Sequence, residues 1–584
     1  MKKGGSFLTE ETKEMDIFTP EDFTEEHWMI GKMTTDFVDK KVMKNLAAME
    51  NHDFKQVVEL LKEAGELGLL SGDIPEEFGG LGLDKISSAI ISEKMSIAGG
   101  FSVTHGAHIG IGSLPIVLFG NQEQKEKYLP YLATGEKIAA YALTEPQAGS
   151  DAMSIRTTAA LNEAGTHYIL KGEKQWITNA GIADVFTVFA KIDGKDFSAF
   201  IIEREFEGFS IGKEENKLGI KSSSTCALKF DHVAVPVENL LGEKGKGHII
   251  ALNILNIGRF KLGVGAVGAS KEAIKKTISY TNNRIQFHTP ITQFPLTKEK
   301  LATMSAYLYA AESSVYRTAG LISTSMSTLP HDADRRLVAS AINEYAIECS
   351  LNKVFASEVL DMIVDECLQL HGGNGFMEGY DITRMYRDAR INRIFEGTNE
   401  INRLLVPATL LKKGIKGELP LLQAAKNLER QLLTLLPADP EKSVLAQEKM
   451  FMENGKKIAL LLLGLTAQKF GRKLENEQEI LANLSNIIMM VYNMESVILR
   501  TEKGIKRGEN KEGQKILYTE IYCAEAFQQI NSEAIEILAN MESGDDLRLL
   551  LATLKKLTRH LPKPIISLKR KAAEEIIAKK QYIV

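Results

Sequence analysis

Cysteine, tryptophan and long apolar runs are all scarce in this chain. Its 584 residues include 4 cysteines and 2 tryptophans, and aromatic residues make up 7%. Cys226, Cys349, Cys367 and Cys523 lie far apart and form no C-x-x-C pair. That spacing argues for a reducing compartment, and against a disulfide scaffold or a structural zinc site, so no metal is expected. The longest apolar stretch runs only from Ile458 to Leu465, whereas a transmembrane helix needs about 20 residues. The first thirty residues lack an apolar h-region and are acidic (Glu10, Glu11, Glu14, Asp16, Glu21, Asp22, Glu25, Glu26), unlike a secretory signal or an Arg-rich transit peptide. The expectation is a soluble cytoplasmic protein of bacterial type. Large charge imbalance is missing too: the formal net is −5, and nothing in it points to nucleic acid as a partner.

What is present is an ordinary globular composition, 44% hydrophobic and 25% charged, long enough for three or four domains. The net charge averages over two unlike parts. Residues 411–584 carry 28 Lys+Arg against 22 Asp+Glu, while residues 1–410 carry 43 against 54. A basic tail piece on an acidic body is a packing feature or a surface for an anionic partner.

Apolar periodicity divides the chain. Val57, Leu60, Leu61, Ala64, Leu67 and Leu70 recur at helical spacing, within an N-terminal α-helical domain placed at 1–137. From 138 to 245 the period shortens into β-branched and aromatic runs such as VFTVFAKI and CALKFDHVAVPV, predicting a compact antiparallel β domain. Helical periodicity returns over 246–283, 296–326, 333–370 and 382–412, which predicts a four-helix bundle over 246–412. LKKGIKGELP reads as a linker, and 421–584 as a separate C-terminal α-helical extension. The fold class is therefore multidomain α+β, in the order α, β, α bundle, extra α.

One motif misleads. Gly263-x-Gly265-x-x-Gly268 matches the dinucleotide fingerprint but lies inside a helical run, where small residues let helices approach closely. Three other segments carry chemistry. Tyr141-Ala-Leu-Thr-Glu-Pro-Gln-Ala-Gly-Ser-Asp151 ends a β run in a loop whose hydroxyls and backbone N–H groups could cradle a polar ring or phosphate. Trp176-Ile-Thr178 sets an aromatic plane beside a hydroxyl, although a lone Trp also reads as core. The third runs from Gln369-Leu-His-Gly-Gly through Arg384, Arg387, Asp388 and Arg390 to Ile-Phe-Glu-Gly-Thr around Glu396. By residue type, Glu396 is either a solvent-facing carboxylate or a desolvated base.

Taken in order, these segments resemble the acyl-CoA dehydrogenase family of flavoenzymes over roughly residues 40–410. The C-terminal extension and the phrase Asn253-Ile-Leu-Asn-Ile-Gly-Arg-Phe260 resemble its very-long-chain branch. The resemblance implies FAD as cofactor and α,β-desaturation of a long-chain fatty acyl-CoA to the trans-2-enoyl-CoA, with electrons passing to electron-transfer flavoprotein. It implies Glu396 as catalytic base. A second family position for the base corresponds to Gly258, which has no side chain to act. For FAD it implies Tyr141, Leu143, Thr144, Gly149, Ser150, Trp176, Ile177, Thr178, Thr398 and Glu400, and, from the neighbouring subunit of at least a homodimer, Arg284, Phe287, Gln369, Gly372 and Gly373. The loop HTPITQFPLT departs from the family's Gly-containing pattern, which leaves Phe294 unassigned. For the substrate it implies Ser150, Asn256, Arg259, Phe395 and Gly397, with Gly106 and Ala107, and the nearby Gly110 and Gly112, opening a chain slot. An oxygen-using oxidase and a non-catalytic assembly protein are the alternatives. The tail would serve dimer stability, packing or peripheral membrane contact.

Overall fold

The structure is a computed structural model, described here for residues 2–330, 333, 335–434, 443–509 and 512–584. The N-terminal unit is helical: α1 (Glu25–Phe37), α2 (Met43–Glu50), α3 (Phe54–Glu66), α4 (Lys85–Met95), α5 (Gly100–Gly106), α6 (Leu114–Phe119) and α7 (Gln122–Thr134). Local chemistry sets several starts. Asp53 accepts from Gln56 N–H at 3.3 Å to cap α3, and Asn121 and Gln124 form a reciprocal capping box on α7. The periodic face of α3 is buried through Val57, Leu60, Leu61 and Ala64.

An eight-stranded sheet follows: β1 (Ala139–Ala142), β2 (Thr158–Leu161), β3 (His167–Thr178), β4 (Val185–Ile192), β5 (Asp196–Glu203), β6 (Phe209–Glu214), β7 (Thr225–Pro236) and β8 (Leu240–Leu241). Its order is β6-β7-β3-β2-β4-β5-β8, with β1 beside β4. The expected antiparallel domain is mostly that, but β1 and β2 both pair parallel to β4. β4 is buried along almost its whole length, with only Lys191 partly exposed, because both of its faces are covered.

The bundle comprises α8 (Gly247–Asn283), α9 (Pro295–Ser327), α11 (Ala346–His371) and α13 (Asn399–Ile415). Between α8 and α9 lies the hairpin β9 (Ile285–Gln286) and β10 (Thr289–Pro290). Two expected helices are interrupted. The segment 333–370 contains a separate α10 (Arg335–Asn343), and 382–412 contains α12 (Asp381–Ala389), a 3₁₀ turn and an irregular link before α13. That link carries Glu396. The glycine-rich run in α8 serves close packing: a Cβ on Gly268 would stand 2.1 Å from the Glu93 carbonyl of α4.

Beyond the bundle come α14 (Leu421–Thr434), α15 (Ala446–Phe470), α16 (Gln478–Arg507), α17 (Glu512–Met541), α18 (Gly544–Thr558) and α19 (Ile565–Lys579). The extension is not packed separately. One continuous apolar core runs from α8, α9 and α11 through Ile458, Tyr492, Phe527 and Ile576. Several of its cations form ion pairs here. Arg500 bonds Glu21 and Glu312, Lys503 bonds Asp22, and Lys456 bonds Glu495, all within 2.6–2.8 Å. Arg317 of α9 meets Glu495 at 2.6 Å. In the segments 456–463 and 563–571, where lysines interleave with apolar residues, Lys456, Lys563 and Lys569 are paired with glutamates. Gly100–Phe119 and Gly247–Asn283 are long and apolar enough to cross a membrane by composition, but both are mostly buried inside the protein.

Candidate active site

A cavity of about 490 Å³ opens where the N-terminal helices, the sheet and the bundle meet. Its walls include Tyr141, Leu143, Thr144, Gly149, Ser150, Trp176, Ile177 and Thr178 from the sheet side, together with Arg259, Phe395, Glu396 and Gly397 from the bundle. Gly106 and Ala107 line it from the N-terminal side. The segments singled out in the sequence therefore converge on one space.

Glu396 is held in an unusual way. Its φ is 58°, a left-handed conformation that costs an L-residue roughly 1–2 kcal/mol. Neighbouring donors over-determine the turn. Arg259 Nε donates to the Glu396 carbonyl at 3.1 Å. Lys353 Nζ and Asn402 Nδ2 both donate to the Gly397 carbonyl, at 2.8 and 2.9 Å. Thr398 then caps α13 by accepting from Ile401 N–H at 3.3 Å. The effect is to push the Glu396 side chain against α8, where only a glycine leaves room: a Cβ on Gly258 would lie 2.7 Å from Oε2 and 2.8 Å from Cδ.

The carboxylate is poorly solvated, and its buried Oε2 has no hydrogen-bond partner. Desolvation raises its pKa to about 7, with Arg259 and Lys353 pulling in the other direction. Lys353 is itself pulled down to about 7 by burial. Burial, then the negative charge of Glu396, raises Tyr141 well above the ordinary tyrosine range. The Tyr141 hydroxyl is also buried without a partner.

The sheet side is shaped by a buried ion pair. Lys174 Nζ donates to Glu145 Oε1 at 2.7 Å and to the Leu143 carbonyl at 3.1 Å, and Glu145 also accepts from the Arg156 and Thr157 N–H groups. These bonds fix the loop carrying Thr144, Gly149 and Ser150. The β3–β7 register then shifts between Lys174 and Ile177. Trp176 consequently stands at φ 57° with 61% of its surface exposed. A tryptophan is rarely left so exposed in a strained backbone unless something covers its ring.

Other expected residues lie elsewhere. Thr398 and Glu400 do not line the cavity; one caps α13, and the other is exposed in its first turn. Asn256 is buried one layer back, accepting from Arg259 Nη1 at 3.0 Å and donating to Asn343 at 3.3 Å. Arg284, Phe287, Gln369, Gly372 and Gly373 collect at the far end of the bundle. There the Tyr280 hydroxyl donates to the His371 carbonyl at 3.2 Å, beside a second cavity of about 460 Å³ that Arg284 helps to line. Phe287 sits in the β9–β10 turn at φ 50° and is 88% exposed. Phe294 packs edge-on against it, with ring centroids 6.3 Å apart. Arg384 and Asp388 form an ion pair, at 2.9 Å, and both line the main cavity.

Sequence reasoning missed Lys353, Asn402 and the Glu145–Lys174 pair. Lysine within the apolar run IECSLNKVFASEVL was the available signal for the first. Among the described residues, no group of three or more His, Cys, Asp or Glu side chains could hold a metal.

Comparison with known proteins agrees with this arrangement. Family models described as acyl-CoA dehydrogenase N-terminal, middle and C-terminal domains match residues 24–136, 140–233 and 245–411. A further C-terminal-domain model of the same family matches 454–556. A probable acyl-CoA dehydrogenase of Bacillus subtilis is 59% identical, covering 100% of this chain and 99% of that protein. The mitochondrial very long-chain specific acyl-CoA dehydrogenase of Rattus norvegicus is 36% identical over 84% of this chain and 76% of its own length. A crystal structure of an acyl-CoA dehydrogenase complexed with FAD from Bacillus anthracis superposes with a TM-score of 0.99 at 59% identity, covering 100% of both chains.

Proposed function

This chain belongs to the acyl-CoA dehydrogenase family of oxidoreductases, and from that premise we propose that it uses FAD to desaturate long-chain fatty acyl-CoA thioesters between C2 and C3. The observation that carries the reading is the Glu396 carboxylate: unpartnered at Oε2, confined by Gly258 and facing the cavity.

The cavity suits a flavin. Trp176 presents an uncovered ring, Tyr141 an orphaned hydroxyl, and Thr144, Ser150 and Thr178 further hydroxyls. When bound, FAD supplies the hydride acceptor for the C3 hydrogen.

The protein's own residues do the rest. With a pKa of about 7, Glu396 is a carboxylate strong enough to take the C2 proton near neutral pH. Its backbone N–H is offered to the thioester oxygen, stabilising the negative charge that develops as the proton leaves, a contribution of about 3–4 kcal/mol for one well-placed donor. Arg259 holds the turn through the Glu396 carbonyl. Phe395 and Gly397, on either side of Glu396 in sequence, line the cavity beside it and would help to keep water from the reacting carbons.

Long-chain preference is supported by the inner cavity. Along α8 its wall runs from Gly258 through Leu262 and Gly265 to Ala269, about 16 Å at 1.5 Å per residue. That length accepts about a dozen methylenes, at roughly 1.3 Å advance per carbon in a zigzag of ~1.5 Å bonds. Each buried methylene adds about 0.8 kcal/mol.

A homodimer is part of the reading. Arg284 lies 26 residues beyond Gly258 on the same helix line, about 39 Å away, farther than one FAD reaches. By the family resemblance, Arg284, Phe287 and the Gly372–Gly373 turn would serve the cofactor of a neighbouring subunit, and that distance is consistent with it. Electron-transfer flavoprotein is the proposed acceptor. Titrating the oxygen-free protein with acyl-CoAs of increasing length tests cofactor, reaction and chain preference together. Bleaching of the flavin by long chains at substoichiometric concentration is expected; bleaching by butyryl-CoA alone would overturn the long-chain assignment.

A further inference from the structure

Lys353 is a fully buried lysine on α11, in a stretch where every residue from Ala346 to Ser357 is buried. Its ammonium touches the link that carries Glu396 at two points. Nζ donates to the Gly397 carbonyl at 2.8 Å and to Asn399 Oδ1 at 2.7 Å. Asn399 is itself fully engaged, since its Nδ2 donates to Ser357 Oγ at 3.1 Å and Glu358 Oε1 at 3.0 Å. Lys353 therefore spans the link from the residue after the base to the first turn of α13.

Burying an ammonium is costly unless it is paired. Neither acceptor here is a carboxylate, and a carbonyl plus an amide oxygen would be met as well by a neutral donor. The charge has another destination. The groups acting electrostatically on Lys353 are Glu396, Arg259 from α8, Glu358 from α11 and Glu400 from α13. Those facing Glu396 are Arg259, Lys353 and, from β1, Tyr141. Arg259 is committed to the Glu396 carbonyl and Asn256, and Glu358 is engaged by Arg403.

We propose that Lys353 is the positioning residue of the base: it pins the left-handed Glu396 turn through Gly397 and Asn399, and its ammonium favours the ionised form of the Glu396 carboxylate. This rests on the reading of Glu396 as the base. Because the two groups interact, they titrate as a pair. Removing the cation leaves Glu396 desolvated with less compensation, so its protonation midpoint must rise. The turn keeps its other tethers, from Asn402 and Arg259, so the fold survives the change.

The experiment compares wild type, Lys353→Arg, Lys353→Gln, Lys353→Met and Glu396→Gln as FAD-loaded protein. The pH dependence of anaerobic flavin bleaching by a long-chain acyl-CoA is followed for each. Infrared difference spectra between pH values report the protonated Glu396 carboxyl directly, the band being assigned by its loss in Glu396→Gln. In Lys353→Gln, which keeps a donor but no charge, the midpoint should rise by about one pH unit in both readouts, with the rate restored at high pH. Lys353→Met, which loses the donors as well, should add a roughly tenfold lower plateau, and Lys353→Arg should keep the wild-type midpoint. Wild-type midpoints in both neutral variants would overturn the inference while leaving the base reading intact. Normal bleaching by Glu396→Gln would instead overturn the base reading. Should Lys353→Met fail to accumulate as folded protein, the Gln and Arg variants decide the question.

Discussion

Replacing Gly258 by alanine isolates geometry from folding at the base. The added Cβ would sit 2.7 Å from Glu396 Oε2, 2.8 Å from Cδ and 3.1 Å from Oε1, roughly 0.7 Å inside ordinary van der Waals contact. Everything it meets belongs to the end of a side chain, so the carboxylate swings away while α8 stays in place. An error of about 1 Å at a reacting group costs up to ~10²-fold. A displacement of this size should therefore slow flavin reduction by 10- to 100-fold, or about 1.4–2.7 kcal/mol of activation free energy. Stability should move the other way, because alanine in a helix interior is favoured over glycine by about 1 kcal/mol. Stopped-flow reduction with a saturating long-chain acyl-CoA, alongside a thermal melt of the same sample, separates the two effects. A Gly258→Ala enzyme with wild-type reduction rate would show that the carboxylate is not confined as described. Slow reduction with a collapsed melting temperature would mean that damage to the fold, not displacement, was responsible.

Three further outcomes are expected. Glu396 has a folded-state pKa raised to about 7, so its stabilising contribution is complete below the ordinary value near 4.5 and is lost as pH rises through 7; Glu396→Gln should therefore gain stability over wild type between pH 5 and pH 8, by about 2–3 kcal/mol. A pH-independent difference in denaturation midpoints would refute that. A Cβ on Gly106 meets nothing within 4 Å and the residue lines the cavity, so Gly106→Leu should fold normally, cut turnover of a sixteen-carbon acyl-CoA at least tenfold (about 1.4 kcal/mol) and spare short chains; equal loss across lengths would place the slot elsewhere. Lys174→Met leaves Glu145 buried without its cation, which should cost about 3–5 kcal/mol and lower FAD retention on gel filtration; full retention would show that the Glu145 loop does not shape the flavin side.

The legible part of this molecule was its layout and its cavity wall. Periodicity separated helical from β segments because each element buries one face, and the residues from Tyr141 to Thr178 and around Glu396 do meet in one cavity. Residues acting through backbone geometry were harder to read. Gly258 reads as a position with no side chain to act, yet its emptiness houses the carboxylate. Lys353 and Asn402 act on a carbonyl 44 and 5 residues away, and no local pattern announces a donor aimed at a distant backbone oxygen. Asn256 and Thr398, expected at the ligand, hydrogen-bond to residues that line the cavity, Arg259 and Ile401. The basic tail left two readings open for a related reason. Net charge records no partners: Lys456 finds Glu495 within the extension, and Arg500 finds Glu21 and Glu312 across the junction with the rest of the chain.

The most direct test of the central claim is anaerobic titration of wild type and Glu396→Gln with the same long-chain acyl-CoA, with ligand binding measured in parallel. The wild-type flavin should bleach stoichiometrically, and the Gln variant should bind the acyl-CoA with its flavin spectrum still oxidised. Equal bleaching in both proteins would contradict the assignment of Glu396 as the base.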